Sequence, residues 1–371
     1  MNENNKIFFR PTEQIENAGD LLICKVELDL IRPYGTLIVD DSIIGEAVFK
    51  QIANPQTDLQ LSNISKTSLY EEIKKQLSNC EGDSRVFLFL EPGHTFRSGG
   101  KLAYRMLKTD FRYWKLVQKG LIICRIGFSI GPFDFWNSVR ESIYSRLFSL
   151  YAVRDKKSLA LAQKWKFKNV KYFPDLAFSY QPTIKASSTT ENRIVLSFRS
   201  NDRGRIHDET YIKRIAEKLV PILKSLPGSF QLTIAYQVAF DREASKSLSK
   251  SLSEFFDTEF IDKNLSISEA ESLYHGSRLV LSNRLHVILL ALQAGCLAMP
   301  FVSMEGNTKI TSIFSDNGLD DLVIDQNATL DVQASMIQQA EKMNKEVAIR
   351  FKNVVKSSSV LVKTELDNVF A

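Results

Sequence analysis

Cysteine is scarce in the 371 residues: Cys24, Cys80, Cys124 and Cys296 are scattered, with no CxxC pair. That argues against a disulfide scaffold or a cysteine-based zinc site and predicts buried free thiols in a reducing compartment. Neither a G-x-G-x-x-G fingerprint nor a Walker loop is present, so a Rossmann dehydrogenase and a P-loop nucleotidase are both disfavoured. The opening MNENNKIFFRPTEQ lacks the apolar run of a signal peptide. The longest greasy stretch, 279–302, is interrupted by Arg284, His286, Gln293 and Gly295, and reads as a strand and buried helix rather than a membrane span. Net charge is only +5, from 48 basic and 43 acidic residues, without a dense basic tract or reader motif; no nucleic-acid partner is expected. No metal cluster stands out, and a cytoplasmic chain without a cofactor is expected.

The length suggests two domains. Short apolar segments (KIFF, TLIVD, RVFLFLE, LIICRIG, YAVR, VKYF) alternate with helical stretches such as SLYEEIKKQL. The polar run QPTIKASSTTENR then reads as a linker. A second series follows, from RIVLSFR to LAMPFVSM, and closes on a long helix expected to break near the Ser357–Ser359 triplet. The predicted fold class is α/β: two doubly wound, Rossmann-like domains facing a central cleft. The expected boundaries are 1–182, a linker at 183–190, and 191–371, with the final helix packing back on the first domain. In such sheets ligands bind beyond the carboxyl ends of the strands, so the site residues are expected there.

In the first domain the loop after KIFF carries Asn17, Gly19 and Asp20, where glycine lets an anion or sugar approach backbone N–H groups. RVFLFLE runs into Gly93 and His94, read as a flexible loop continuing to Gly99 and Gly100. Gly127, Gly131 and Pro132 predict a tight loop lining a pocket. Arg154 and Asp155 follow YAV, and read first as a helix-capping pair and second as pocket-lining groups; Asp175 is similar. In the second domain Arg199, Arg203 and Arg205 at a strand mouth, with His207 close behind, suit a phosphate or carboxylate clamp. The segment SNRLHVILLALQAG places Arg284 and His286 where a strand gives way to a helix whose free N–H groups favour an anion.

SNRLHVILLALQAGCLAMPFVSMEGNTKITSIF resembles the polysaccharide pyruvyl transferase family through Arg284, Leu285 and His286, with Gly295 and Lys309 matching the continuation. SIGPF, AVRDKKS, PDLAF and NAGDLLI resemble its other segments in the same order. The resemblance implies a fold of the B-type glycosyltransferase kind. It implies phosphoenolpyruvate as donor, bound by the second domain through Arg199, Arg284, Leu285 and His286. It implies a sugar acceptor on the first domain's side, in a polysaccharide or a polyprenyl-diphosphate-linked oligosaccharide. His286 is then the candidate general acid or phosphate holder, and His94, Asp20 or Asp155 the candidate base. The segment EPGHTFRSGG departs from the family's glycine-rich pattern, which bears on the acceptor side. KLAYRMLKTDFRYWKLVQK and FDFWNSVRESIYSRLF mix aromatic and basic residues; they read as sheet-covering helices or as a contact with the inner face of a membrane. A homo-oligomer is left open. The alternatives are a sugar-nucleotide-dependent glycosyltransferase of the same fold, for which Glu269 is the candidate contact, and a non-catalytic polysaccharide-assembly protein.

Overall fold

A computed structural model of the chain describes residues 4–80, 82–97, 100–184, 191–201 and 208–371. It divides into two compact units: Met1–Ile15, Asp20–Ser179 and Ser358–Ala371 form unit 1, and Glu16–Gly19 with Tyr180–Ser357 form unit 2. Most of the expected linker, 185–190, lies outside the described residues.

Unit 1 contains β1 (Lys6–Arg10), α1 (Ala18–Ile31, whose first two residues belong to unit 2), β2 (Thr36–Val39), α2 (Glu46–Ile52), β3 (Leu59–Gln60), α3 (Leu61–Ile64), α4 (Leu69–Ser78) and β4 (Val86–Leu90). It continues through β5 (Gly93–Arg97), α5 (Gly100–Val117), β6 (Ile122–Phe133), α6 (Phe135–Tyr144), β7 (Phe148–Val153), α7 (Lys156–Lys164) and β8 (Val170–Tyr172). The sheet order is β3-β2-β1-β4-β6-β7-β8, with β5 also pairing β6, and the pairings are parallel. β4, VFLFL, is buried at every position, as a strand covered on both faces requires.

The segment expected as a tight loop around Gly127 and Gly131 is instead the second half of β6. Gly127 has φ +66°, and a Cβ there would lie 2.3 Å from Leu176 Cγ. Glycine therefore lets the strand shift register and stay packed rather than turn. Likewise GHTFR, read as loop, is β5, paired with the far end of β6.

Unit 2 contains β9 (Glu191–Ser197), α8 (Glu209–Lys224), β10 (Gln231–Tyr236), α9 (Arg242–Leu252), β11 (Thr258–Asn264), α10 (Ile267–Tyr274) and β12 (Ser277–Ser282). There follow α11 (Leu285–Gln293), β13 (Leu297–Val302), α12 (Thr308–Asp316), β14 (Ile324–Asp325), α13 (Leu330–Lys342) and α14 (Asn344–Phe370). The order β11-β10-β9-β12-β13-β14 is all parallel. It reverses between β9 and β12, the position where doubly wound sheets open a crevice. α11 stops in a Schellman arrangement: Gly295, at φ +83°, donates its N–H to Leu292 O, and Cys296 donates to Ala291 O.

The terminal helix breaks at Met343, not at the serine triplet. Ser357 bonds its hydroxyl back to Asn353 O at 3.0 Å, which lets serine sit inside a helix. The last residues of α14 pack within unit 1, where the Phe370 ring stacks on Tyr34 at 4.2 Å and Asp367 accepts from the Tyr34 hydroxyl. Cys24, Cys124 and Cys296 are buried; Cys80 departs from the expectation and is exposed.

Candidate functional site

In unit 2, β9 and β12 lie side by side with Ser197 opposite Ser282. Two residues further on, Arg199 and Arg284 therefore emerge together at the switch point. Asn283, buried between them, joins the two strand ends: its Oδ1 accepts from Arg199 N at 2.8 Å, and its Nδ2 donates to Arg199 O and Tyr211 Oη. Arg199 also donates through Nη2 to Asn307 Oδ1 at 3.0 Å, linking the residue before α12 to the same edge. Lys309 stands in the first turn of α12. Ser282 Oγ accepts from Arg284 N and donates to Ser197 O, so the backbone at the arginine is held on both sides.

Arg284 is gripped along one edge by Asp241, which accepts from Nε at 2.8 Å and from Nη2 at 2.5 Å. Asp241 is buried and Arg284 is about a quarter exposed (24%). Burial pushes the Asp241 carboxyl above its ordinary value, with Arg284 opposing the shift. A carboxylate on one edge of a guanidinium fixes its plane and leaves Nη1 for another anion. Asp241 begins α9 without capping it, and its partner lies 43 residues away.

His286 is the second residue of α11, with Leu285 buried beside it. Against its ring lies Gly19, where a Cβ would come 2.6 Å from His286 Nδ1. Glu16–Gly19 is held to the end of β10: Asn17 pairs with Val238, Ala18 N donates to Gln237 O, and Ala239 N donates to Glu16 O. Asn17 Oδ1 accepts from Gly19 N at 3.0 Å, closing the turn that sets the glycine on the imidazole. Asn17, Gly19, Arg199, Leu285 and His286 thus come together with Asp241 and Asn283, whose roles the sequence did not disclose. Arg203, with Arg205 and His207, lies outside the described residues.

In unit 1 the corresponding edge carries Asp20, Gly93 and His94. Gly93 has φ +115°, and a Cβ there would lie 3.9 Å from Asp20 Oδ1. His94 is exposed, and its Nε2 meets Gly131 O at 2.7 Å. Arg154 and Asp155 are drawn into a buried network instead of facing solvent. Arg154 donates to Asp175 Oδ2 at 2.9 Å and to Ser129 Oγ at 3.0 Å. Asp155 caps α7 through Ser158 N and accepts from Ser129 Oγ. Their secondary reading as pocket-lining groups gives way to this structural one because every atom named is used to tie β6, β7 and the Asp175 loop together.

Sequence reasoning also missed Glu27. It shares a face of α1 with Asp20 and Cys24. It is fully buried, and among the described residues neither carboxylate oxygen has a hydrogen-bond partner. Burial pushes its carboxyl well above the ordinary value, with Arg125 opposing. Among the described residues no cluster of three or more His, Cys, Asp or Glu is placed to hold a metal ion.

Several solved structures share the fold at low identity. UDP-GlcNAc 2-epimerase from Neisseria meningitidis is 10% identical, with a TM-score of 0.56 over 98% of this chain and 100% of that one. Trehalose-6-phosphate synthase OtsA is 10% identical, with a TM-score of 0.55 over 98% of each chain. The Methanocaldococcus jannaschii UDP-GlcNAc 2-epimerase is 12% identical, with a TM-score of 0.50 over 90% of this chain and 91% of that one. These likenesses establish two doubly wound α/β units of the B-type glycosyltransferase kind. No curated protein matches the sequence. The family model for polysaccharide pyruvyl transferases matches residues 17–302, a span that runs from Asn17 through Arg199, Asp241, Arg284 and His286 to the end of β13. By that match the chain belongs to the polysaccharide pyruvyl transferase family.

Proposed function

We propose that the protein moves the pyruvyl group of phosphoenolpyruvate onto two hydroxyls of a sugar, forming a cyclic ketal and releasing phosphate. The observation that supports this most is the pair of arginines at adjacent strand ends of unit 2, with His286 in the first turn of the helix that follows. Phosphoenolpyruvate carries a phosphate and a carboxylate, and two guanidiniums side by side suit two anionic ends. Arg284 enters this reading as a preoriented group, since Asp241 fixes its plane.

The chemistry needs a proton on the methylene carbon and a sugar oxygen bonded to the central carbon. The carbon–oxygen bond to phosphate then breaks, and a second sugar oxygen closes the ring. Of the two hydroxyl protons lost, one is balanced by the new methyl hydrogen and the other by the released hydrogen phosphate. His286 is assigned to protonate the methylene carbon or hold the departing phosphate, at a helix start that favours anions. The acceptor base is assigned to unit 1, with Asp20 and His94 as candidates.

A sugar-nucleotide donor is less well supported. Glu269, the candidate contact for it, closes a capping box with Ser266 and pairs with Lys263. The Lys263 ammonium and then the Ser266 N–H hold its carboxyl down at about 2. The test is thermal unfolding with phosphoenolpyruvate and, separately, with UDP-GlcNAc. Stabilisation by phosphoenolpyruvate that disappears in Arg284→Ala and Arg199→Ala is expected; a shift with the sugar nucleotide alone overturns the donor assignment. Mass gain and phosphate release with lipid-linked oligosaccharides would then identify the acceptor.

A further inference from the structure

α5 carries three stripes. Ala103, Tyr113 and Leu116 are buried, and Tyr113 and Leu116 join the core of unit 1. A second stripe, Tyr104, Leu107, Phe111 and Trp114, repeats at steps of three and four residues and is exposed, Tyr104 by 78%. A third, Arg105, Lys108, Arg112 and Lys115, is offset by one residue and also exposed. A helix that only covered a sheet would need the first stripe alone.

α6 continues the apolar surface with Phe135, Trp136 (64% exposed) and Ile143 (63% exposed). Between the helices lies a groove of about 390 Å³, walled by Tyr104, Leu107, Trp136, Val139 and Ile143, with Arg140 at its edge. The acids on these helices are Asp110 and Glu141, and Arg140 engages both. The outward charge of the face is therefore basic, and Lys115 Nζ sits 4.6 Å over the Phe111 ring.

We propose that this α5–α6 face docks the protein on an anionic lipid bilayer. The aromatic and aliphatic stripe enters the headgroup boundary, and the offset basic stripe pairs with lipid phosphates. Charge selects this occupant over a second copy of the chain. A symmetric pairing would set one basic stripe against another, whereas an anionic surface neutralises it. The inference does not depend on which donor unit 2 takes, because its test reads binding and not catalysis.

The test is cosedimentation of the full chain with vesicles of phosphatidylcholine alone and of phosphatidylcholine mixed with phosphatidylglycerol. Binding to the mixed vesicles, weakened by salt and accompanied by a blue shift of tryptophan fluorescence, is expected. Replacing Lys108 and Lys115 together by Gln should lower the affinity roughly thirtyfold, at about 1 kcal/mol per basic residue. Leu107→Ser with Trp136→Ser should abolish binding while leaving thermal unfolding in the absence of lipid unchanged. Equal binding to both vesicle types, or equal binding by the variants, overturns the proposal. So does a dimer that the serine variants dissolve in a chain that ignores vesicles.

Discussion

Glu27 and Asp241 are both carboxyls raised by burial, but they differ in company. Asp241 has Arg284 on both oxygens, so removing the arginine leaves a buried acceptor pair unmet. Arg284→Ala should therefore cost about 1–3 kcal/mol of stability in urea unfolding, besides losing the ligand response. Glu27 has no such pair among the described residues. A carboxyl whose folded pKa is raised binds its proton more tightly in the folded state than in the unfolded one. Its stabilisation is full below the unfolded value near 4.5 and is lost as pH rises toward the higher folded value. Glu27→Gln should remove that loss, so its melting temperature should exceed the parent's by more at pH 8 than at pH 5. An equal difference at both pH values would refute this. Gly19 acts by having no side chain. Gly19→Ala would drive a methyl against His286, and should weaken the phosphoenolpyruvate-induced thermal shift, as read by titration.

At the scale of elements, the strand-to-helix junction at Arg284 was legible because a greasy run changes period there and ends on a glycine. Gly295 carries that ending: its φ is +83° and no atom lies within 4 Å of where a Cβ would sit, so strain alone opposes a side chain. Gly295→Ala should cost about 1–2 kcal/mol in chemical unfolding without changing ligand affinity. Other elements misled for physical reasons. Gly127 and Gly131 carry the same turn signal in sequence, yet the Leu176 and Leu161 side chains occupy the space a Cβ would need, and the segment stays a strand. The Ser357–Ser359 triplet looks like a break, yet a serine hydroxyl that bonds its own helix leaves the helix whole.

Across the whole molecule, the chain passes back and forth between its two units. Residues 16–19 belong with unit 2 and residues 358–371 with unit 1. Phe370 is held there by the Tyr34 and Phe87 rings, at 4.2 and 4.4 Å. Phe370→Ala should lower the stability of unit 1 by about 1–2 kcal/mol, a partial burial's share of an aromatic's full value, followed by denaturant unfolding of the full chain. The alternation of strands and helices, the parallel sheets, and the strand-end placement of Arg199, Arg284 and His286 were determined by the sequence alone. Periodicity and turn chemistry act over a few residues and are written locally. The tertiary structure alone decided that Asp241 holds Arg284, that Asn283 joins two strands, that Gly19 lies on His286, and that Arg154 and Asp155 are buried in a network. Each of those depends on residues brought together from distant parts of the chain by sheet order and packing, which no spacing along the sequence encodes.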